Sequence, residues 1–170
     1  MPGDEQDKAG VVAPPPLIYL AALVFGLLLN RRSPTTFLPP TIARILGWPL
    51  LGGGVLLAGW FEWAMRRADT PTNPYKPVSH IATEGPFRYT RNPAYLSMTM
   101  MYTGIASLAN ALWAIVLLPV ALLVIERGVI EREERYLERK FGEEYLSYKA
   151  GVIPNPVKEF PDHAVWGHQW

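Results

Sequence analysis

Three stretches of this chain contain no charged side chain at all: residues 11–29, 45–61 and 94–125, of 19, 17 and 32 residues, together 68 of the chain's 170 positions. A helix crossing the hydrocarbon core of a bilayer needs about 20 apolar residues, within a range of roughly 17–25. The first two stretches therefore suit one crossing each. As a single helix the third would extend about 48 Å, too far for one crossing. It is predicted to fold back near Ser107–Ala111, where Asn110 is the polar interruption. The expectation is an all-α integral membrane protein with four transmembrane helices, the last two a short hairpin. A soluble fold of this length has too little interior to hide so much apolar surface.

The first stretch has an acidic flank (Asp4, Glu5, Asp7) and no small-residue cleavage site before Arg31 and Arg32. It reads as a retained anchor rather than a signal peptide, with Pro14–Pro16 at the helix start, where proline is tolerated. With four crossings, the N-terminus, the 64–93 loop and the C-terminal region share one side. That side carries 13 of the 16 Lys and Arg, against Arg31, Arg32 and Arg44 in the 30–44 loop. The bias places both termini in the cytoplasm, in what we expect to be a prokaryotic plasma membrane. Trp48, Trp60, Trp63 and Trp113 fall near the expected interfaces.

Composition narrows the function. A net charge of +1 argues against a nucleic-acid binder. The absence of cysteine excludes disulfides, thiolate-metal sites and a cysteine nucleophile, and three scattered histidines (80, 163 and 168) suggest no metal. Gly52–Gly54 sits inside the second apolar stretch, where small residues let helices approach closely. No strand–GxGxxG–helix unit is present. The organisation expected is an N-terminal tail (1–10), a two-helix membrane anchor (11–70), a core of loop, helical hairpin and cytoplasmic helix (71–156), and a C-terminal tail (157–170).

The cytoplasmic side carries the information. Residues 71–93 hold five prolines and read as a loop, whereas residues 126–149 carry 13 of the chain's 31 charges in 24 positions. At 100° per residue, Glu126, Ile130, Leu137 and Phe141 form an apolar stripe with Glu133 and Glu134 at its margins, Arg132, Arg135 and Arg139 lie opposite, and Glu131 is on the exposed face. Carboxylates beside an apolar stripe need partners, because an unpaired buried charge is costly. Two readings stay open: pairing with Arg88, Arg91 or Arg127, or capture of a cationic ligand group by one glutamate.

These residues resemble a known family. Gly85-Pro-Phe-Arg-Tyr-Thr-Arg-Asn-Pro-Ala-Tyr95, two short crossings, Glu133-Glu134 and Phe141-Gly-Glu-Glu-Tyr-Leu-Ser-Tyr148 look like the isoprenylcysteine carboxyl methyltransferases, relatives of the phospholipid N-methyltransferases. The resemblance covers roughly residues 75–155. It implies S-adenosylmethionine as cofactor, with S-adenosylhomocysteine as product, and a pocket including His80, Ile81, Ala82 and Phe87. The family's Arg-His-Pro-x-Tyr motif corresponds to Arg91, Asn92, Pro93 and Tyr95, and its cofactor-holding glutamate to Glu133. Asn92 replaces the usual histidine, and Val129 stands where the eukaryotic enzymes have an arginine near the substrate.

The chemistry suits these residue types in their own right. An arginine can hold the cofactor carboxylate, Glu133 its ammonium, and Phe87, Ile81 and Tyr95 its ring and sulfonium. Methyl transfer can then proceed largely by positioning and desolvation. Arg127 and Glu134 are the candidate catalytic residues, Arg127 facing an anionic acceptor in place of the arginine missing at Val129. The expected partners are the bilayer and a lipophilic acceptor, with an isoprenylcysteine-like carboxylate favoured over a phospholipid amine or a thiol. Other classes stay in view: an NADPH-dependent membrane reductase, or a non-catalytic scaffold or small transporter. Blander roles stand beside the functional ones: His80 as a surface or capping residue, Tyr145 and Tyr148 as interfacial anchors, Pro93 as a helix start, and Met98, Met100 and Met101 as packing residues.

Overall fold

The computed structural model describes residues 13–68 and 82–152, which are helical or turn throughout, with no strand among them. The helices are α1 (Pro15–Arg32), α2 (Pro40–Arg67), α3 (Pro93–Leu108), α4 (Leu112–Ile125), α5 (Glu131–Phe141) and α6 (Glu143–Gly151). A 3-10 turn spans Gly85–Arg88, and a π turn, Glu126–Ile130, joins α4 and α5 into one helix of 30 residues, Leu112–Phe141. Proline opens α1, α2 and α3, where its fixed φ is already helical and its missing N–H would have had no partner. Gly142, at φ +50°, ends α5 and turns the chain into α6.

Helix α2 packs along α3, and α1 packs along α4 while also touching α3. Small residues set the separation. A Cβ at Gly104 would lie 2.6 Å from the Leu51 backbone nitrogen, one at Gly54 2.9 Å from the Ser97 carbonyl oxygen, and one at Gly26 2.5 Å from the Ala114 Cα. Within the Gly52–Gly54 run, Gly53 and Gly54 form a packing surface, Gly53 against Met100 and Gly54 against Met101, while Gly52 faces open space. The buried core contains Tyr19, Tyr102, Ala106, Ala114, Ile125 and Ile130. Its polar atoms are satisfied locally: the Tyr102 hydroxyl donates to the Ala114 carbonyl at 2.7 Å, and the Tyr19 hydroxyl shares a 2.7 Å bond with Thr99.

The α3–α4 hairpin turns where expected. Asn110 takes the left-handed conformation (φ 48°) that asparagine tolerates. Its side-chain oxygen accepts the N–H groups of Phe37 and Leu38, both at 3.1 Å, and its amide donates to the Leu38 carbonyl at 2.6 Å. The polar interruption therefore fastens the hairpin to the α1–α2 loop.

The outer surface is apolar. Leu17, Leu20, Phe25 and Leu28 on α1, Ile45 and Leu56 on α2, and Val116 and Val120 on α4 are all exposed. Among the described residues two helices are long and apolar enough to cross a bilayer, Pro40–Arg67 and Leu112–Phe141. Helices α1 and α3, of 18 and 16 residues, rise only about 27 and 24 Å. Trp48, Trp60, Trp63 and Trp113 are all at least partly exposed, as an interfacial belt requires.

Overpacking a close helix contact costs about 1–3 kcal/mol. Gly104→Leu should therefore lower the thermal midpoint of the detergent-solubilised protein markedly. Gly52→Leu, with no atom within 4 Å of its added Cβ, should leave it nearly unchanged. Equal midpoints for the two variants would contradict the α2–α3 packing.

Candidate functional site

The site begins at a turn that needs glycine. Gly85 has φ +64°, and a Cβ there would also press on the Trp60 ring nitrogen at 3.2 Å. With Pro86 buried behind it, the 3-10 turn sets Phe87 against Phe61, ring centroids 5.8 Å apart. The Asn92 backbone N–H donates to the Thr90 hydroxyl at 3.2 Å. Asn92 occupies the cap position of α3, but its side chain makes no capping bond, and the buried Pro93 opens the helix. This entry places Tyr95 in the first turn of α3.

Tyr95 meets Glu133 across 38 residues of sequence, its hydroxyl donating to the carboxylate at 2.7 Å. Among the described residues no Lys, Arg or His lies within ion-pair distance of Glu133. Burial pushes the Glu133 carboxyl up to about 7, and the hydrogen bond from Tyr95, which pulls the other way, is outweighed. Among the described residues, α5 thus carries a half-buried carboxylate with no cation beside it.

Its neighbour Glu134 is the opposite case. One oxygen lies 3.5 Å from Arg91 Nη1 and the other 2.8 Å from Lys149 Nζ, which also reaches Glu138 at 2.7 Å. The pairing anticipated for these glutamates holds for Glu134 and not for Glu133. Burial lowers the affinity of Lys149 for its proton, but the bonds and charges of Glu134 and Glu138 more than offset this, so the ammonium is held above its ordinary value. The Arg91 side chain is only 9% exposed, and its Nε has no hydrogen-bond partner.

Helix α6 closes this cluster. The Tyr148 hydroxyl donates to the Phe87 carbonyl at 2.9 Å, and Tyr145 is 3% exposed, its ring 6.1 Å from that of Tyr148. Burial raises the pKa of both phenols, and the charge of Arg91 pulls both the other way, which places that guanidinium near the two rings. Tyr145 and Tyr148 therefore tie α6 to the 85–95 turn rather than serving merely as interfacial anchors.

The remaining expected residues are placed less centrally. His80 and Ile81 lie outside the described residues, whereas Ala82 borders a recess of about 360 Å³ with Trp63, Arg67 and Glu84. Arg127 is exposed on the π turn, and Val129 is fully buried. Two details of the helical-wheel reading are corrected. Tyr136, absent from the expected stripe, is buried, and Glu131 is only 25% exposed and lies 3.7 Å from Arg135. For Glu131 the cause is the π turn, whose i→i+5 bonding takes up an extra residue and turns that position toward the packed face. Arg132, Arg135 and Arg139 are exposed, as expected. The contribution of Lys149 had no signal in the sequence, because it arises only when α6 folds back on α5. Among the described residues no His/Cys/Asp/Glu group could hold a metal ion.

The raised Glu133 carboxyl has a linkage consequence. Between the ordinary glutamate value of 4.5 and about 7 the folded state holds a proton that the unfolded state releases. Stability without ligand therefore falls as pH rises through that window, by on the order of 3–4 kcal/mol at about 1.4 kcal/mol per unit. Glu133→Gln should flatten this decline in thermal midpoint between pH 5 and 7.5. An unchanged slope would contradict the burial of Glu133.

No curated protein and no solved structure matches the chain. A family model, described as phospholipid methyltransferase, matches residues 42–144, more than half of the chain and a span that runs from α2 through the whole of α5. With its apolar helices and the Tyr95–Glu133 and Arg91–Glu134 pairs inside that span, the chain belongs to the phospholipid methyltransferase family and is a membrane methyltransferase.

Proposed function

We propose that the protein transfers a methyl group from S-adenosylmethionine to a lipophilic acceptor at the cytoplasmic face of a prokaryotic plasma membrane. The observation that carries this reading is Glu133, a half-buried carboxylate with a tyrosine donor and no cation beside it among the described residues. The amino-acid end of S-adenosylmethionine presents an ammonium and a carboxylate. Glu133 suits the ammonium, and Arg91, with an unpartnered buried Nε, suits the carboxylate. Phe87, Ala82 and Tyr95, with His80, Ile81, Asn92 and Pro93 along the same segment, would shape the rest of the pocket. When bound, the cofactor supplies a methyl group already activated by the sulfonium, so the protein's task is to align it and exclude water.

The membrane reading extends to four crossings, α1 and α3 serving as short ones, with both termini in the cytoplasm. A reporter fused after Trp170 and active only outside the cytoplasm would overturn that orientation. A water-soluble cofactor then enters from the cytoplasm and the acceptor from the bilayer. Arg127, exposed where the apolar α4 gives way to the charged α5, favours an anionic acceptor of the isoprenylcysteine carboxylate type. Such an acceptor needs no general base, whereas an ammonium must first lose a proton. The family match favours the second reading, an aminophospholipid.

The detergent-solubilised protein should bind S-adenosylhomocysteine and not NADPH. Glu133→Gln should weaken that binding roughly 10- to 100-fold, since a hydrogen bond to a charged group contributes about 1.5–3 kcal/mol. Glu144→Gln, on the exposed face of α6, should leave it unchanged. Equal effects from the two substitutions would reject the role of Glu133. Turnover of prenylcysteine, fatty-acid, thiol and aminophospholipid acceptors by the wild type and Arg127→Ala then separates the acceptors. Methylation of the aminophospholipid alone, indifferent to Arg127, would reject the anionic reading.

A further inference from the structure

Two cations compete for Glu134, and their distances are unequal. Charge-assisted N–H···O bonds run about 2.7–2.9 Å. Lys149 meets that standard on both Glu134 (2.8 Å) and Glu138 (2.7 Å), whereas Arg91 stands off at 3.5 Å. Arg91 is nevertheless the more buried of the two cations, 9% exposed against 31%, and its Nε donates to nothing. A buried guanidinium with a spare donor and a loosely held counter-charge is poised for an anion from outside the protein. Lys149 lies beyond the 42–144 span of the family match, on a different helix from both glutamates.

We propose that Lys149 is a positioning residue that holds Glu134 away from Arg91 and so leaves the Arg91 guanidinium to the carboxylate of the bound amino-acid moiety. This rests on the cofactor reading above. Without the lysine ammonium, Glu134 closes on Arg91 and competes directly with the ligand carboxylate. The lysine acts through two intermediaries, Glu134 and Arg91, and touches no ligand atom itself. Its second anchor, Glu138, keeps it in place once Glu134 is neutralised.

The test compares two probes on the detergent-solubilised full chain. S-Adenosylhomocysteine carries the carboxylate, and 5′-methylthioadenosine carries the same nucleoside and thioether without the amino-acid end. Lys149→Gln should weaken S-adenosylhomocysteine roughly tenfold and leave methylthioadenosine within about twofold. Adding Glu134→Gln to Lys149→Gln should restore most of the loss, because no carboxylate is left to occupy Arg91. Glu134→Gln alone should bind S-adenosylhomocysteine at least as tightly as the wild type, which keeps the proposal testable if Lys149→Gln does not fold. Equal weakening of both probes would mean that Lys149 only docks α6, and would overturn the proposal. So would unchanged S-adenosylhomocysteine binding in Lys149→Gln, or a double variant no better than the single one. Failure of the wild type to bind either probe would instead reject the cofactor reading itself.

Discussion

A carboxylate taken out of water must find hydrogen-bond donors, and at Glu133 the donor found is Tyr95, 2.7 Å away on another helix. That bond fixes the start of α3 against α5, and much of this end of the helix bundle is arranged to allow it. The tight turn at Asn110 sends the chain back so that α5 can reach the level at which α3 began. The Gly85 turn and Pro93 set the direction in which α3 starts. One hydroxyl does not replace the hydration of a full charge, and the remaining deficit appears as the shift of Glu133 to about 7. In the proposed cofactor complex, a ligand cation would relieve that deficit.

The adjacent position solves the same problem differently. Glu134 has both oxygens engaged by cations, and those cations come from segments far apart in the chain, Arg91 ahead of α3 and Lys149 on α6. Two consecutive glutamates on one helix thus have contrasting electrostatics: one is left short of positive charge and the other is fully countered. Local composition does not distinguish them. The elements that pack beside each one do.

The same contrast explains what was legible in the sequence. Absence of charge is a property of a contiguous window, so the apolar helices α2, α3 and α4 could be read directly, as could the break at Asn110, where a polar side chain interrupts an apolar run. Arg91, Tyr95, Glu133 and Glu134 were recognisable because they fall in short motifs. What the sequence did not disclose depends on register or on distant pairing. A π turn has no residue signature, so a wheel drawn at 100° over-exposed Glu131; the wheel also left out the buried Tyr136. Lys149 lies 15 residues beyond Glu134, and only the reversal at Gly142 brings the two together.

The position of the π turn bears on why a methyltransferase would be built this way. Helix α4 has no charged residue and α5 has 8 in 11 positions, so the junction between them is where the proposed membrane reading puts the boundary between hydrocarbon and water. Ile125, just before the π turn, and Val129, within it, lie in the apolar core, and just beyond it Glu133 accepts the hydrogen bond of Tyr95. In the proposed reaction the two substrates come from opposite sides of that boundary, one soluble in lipid and one in water. A helix that changes register at the boundary can pack as a membrane element on one side and present a half-buried carboxylate on the other.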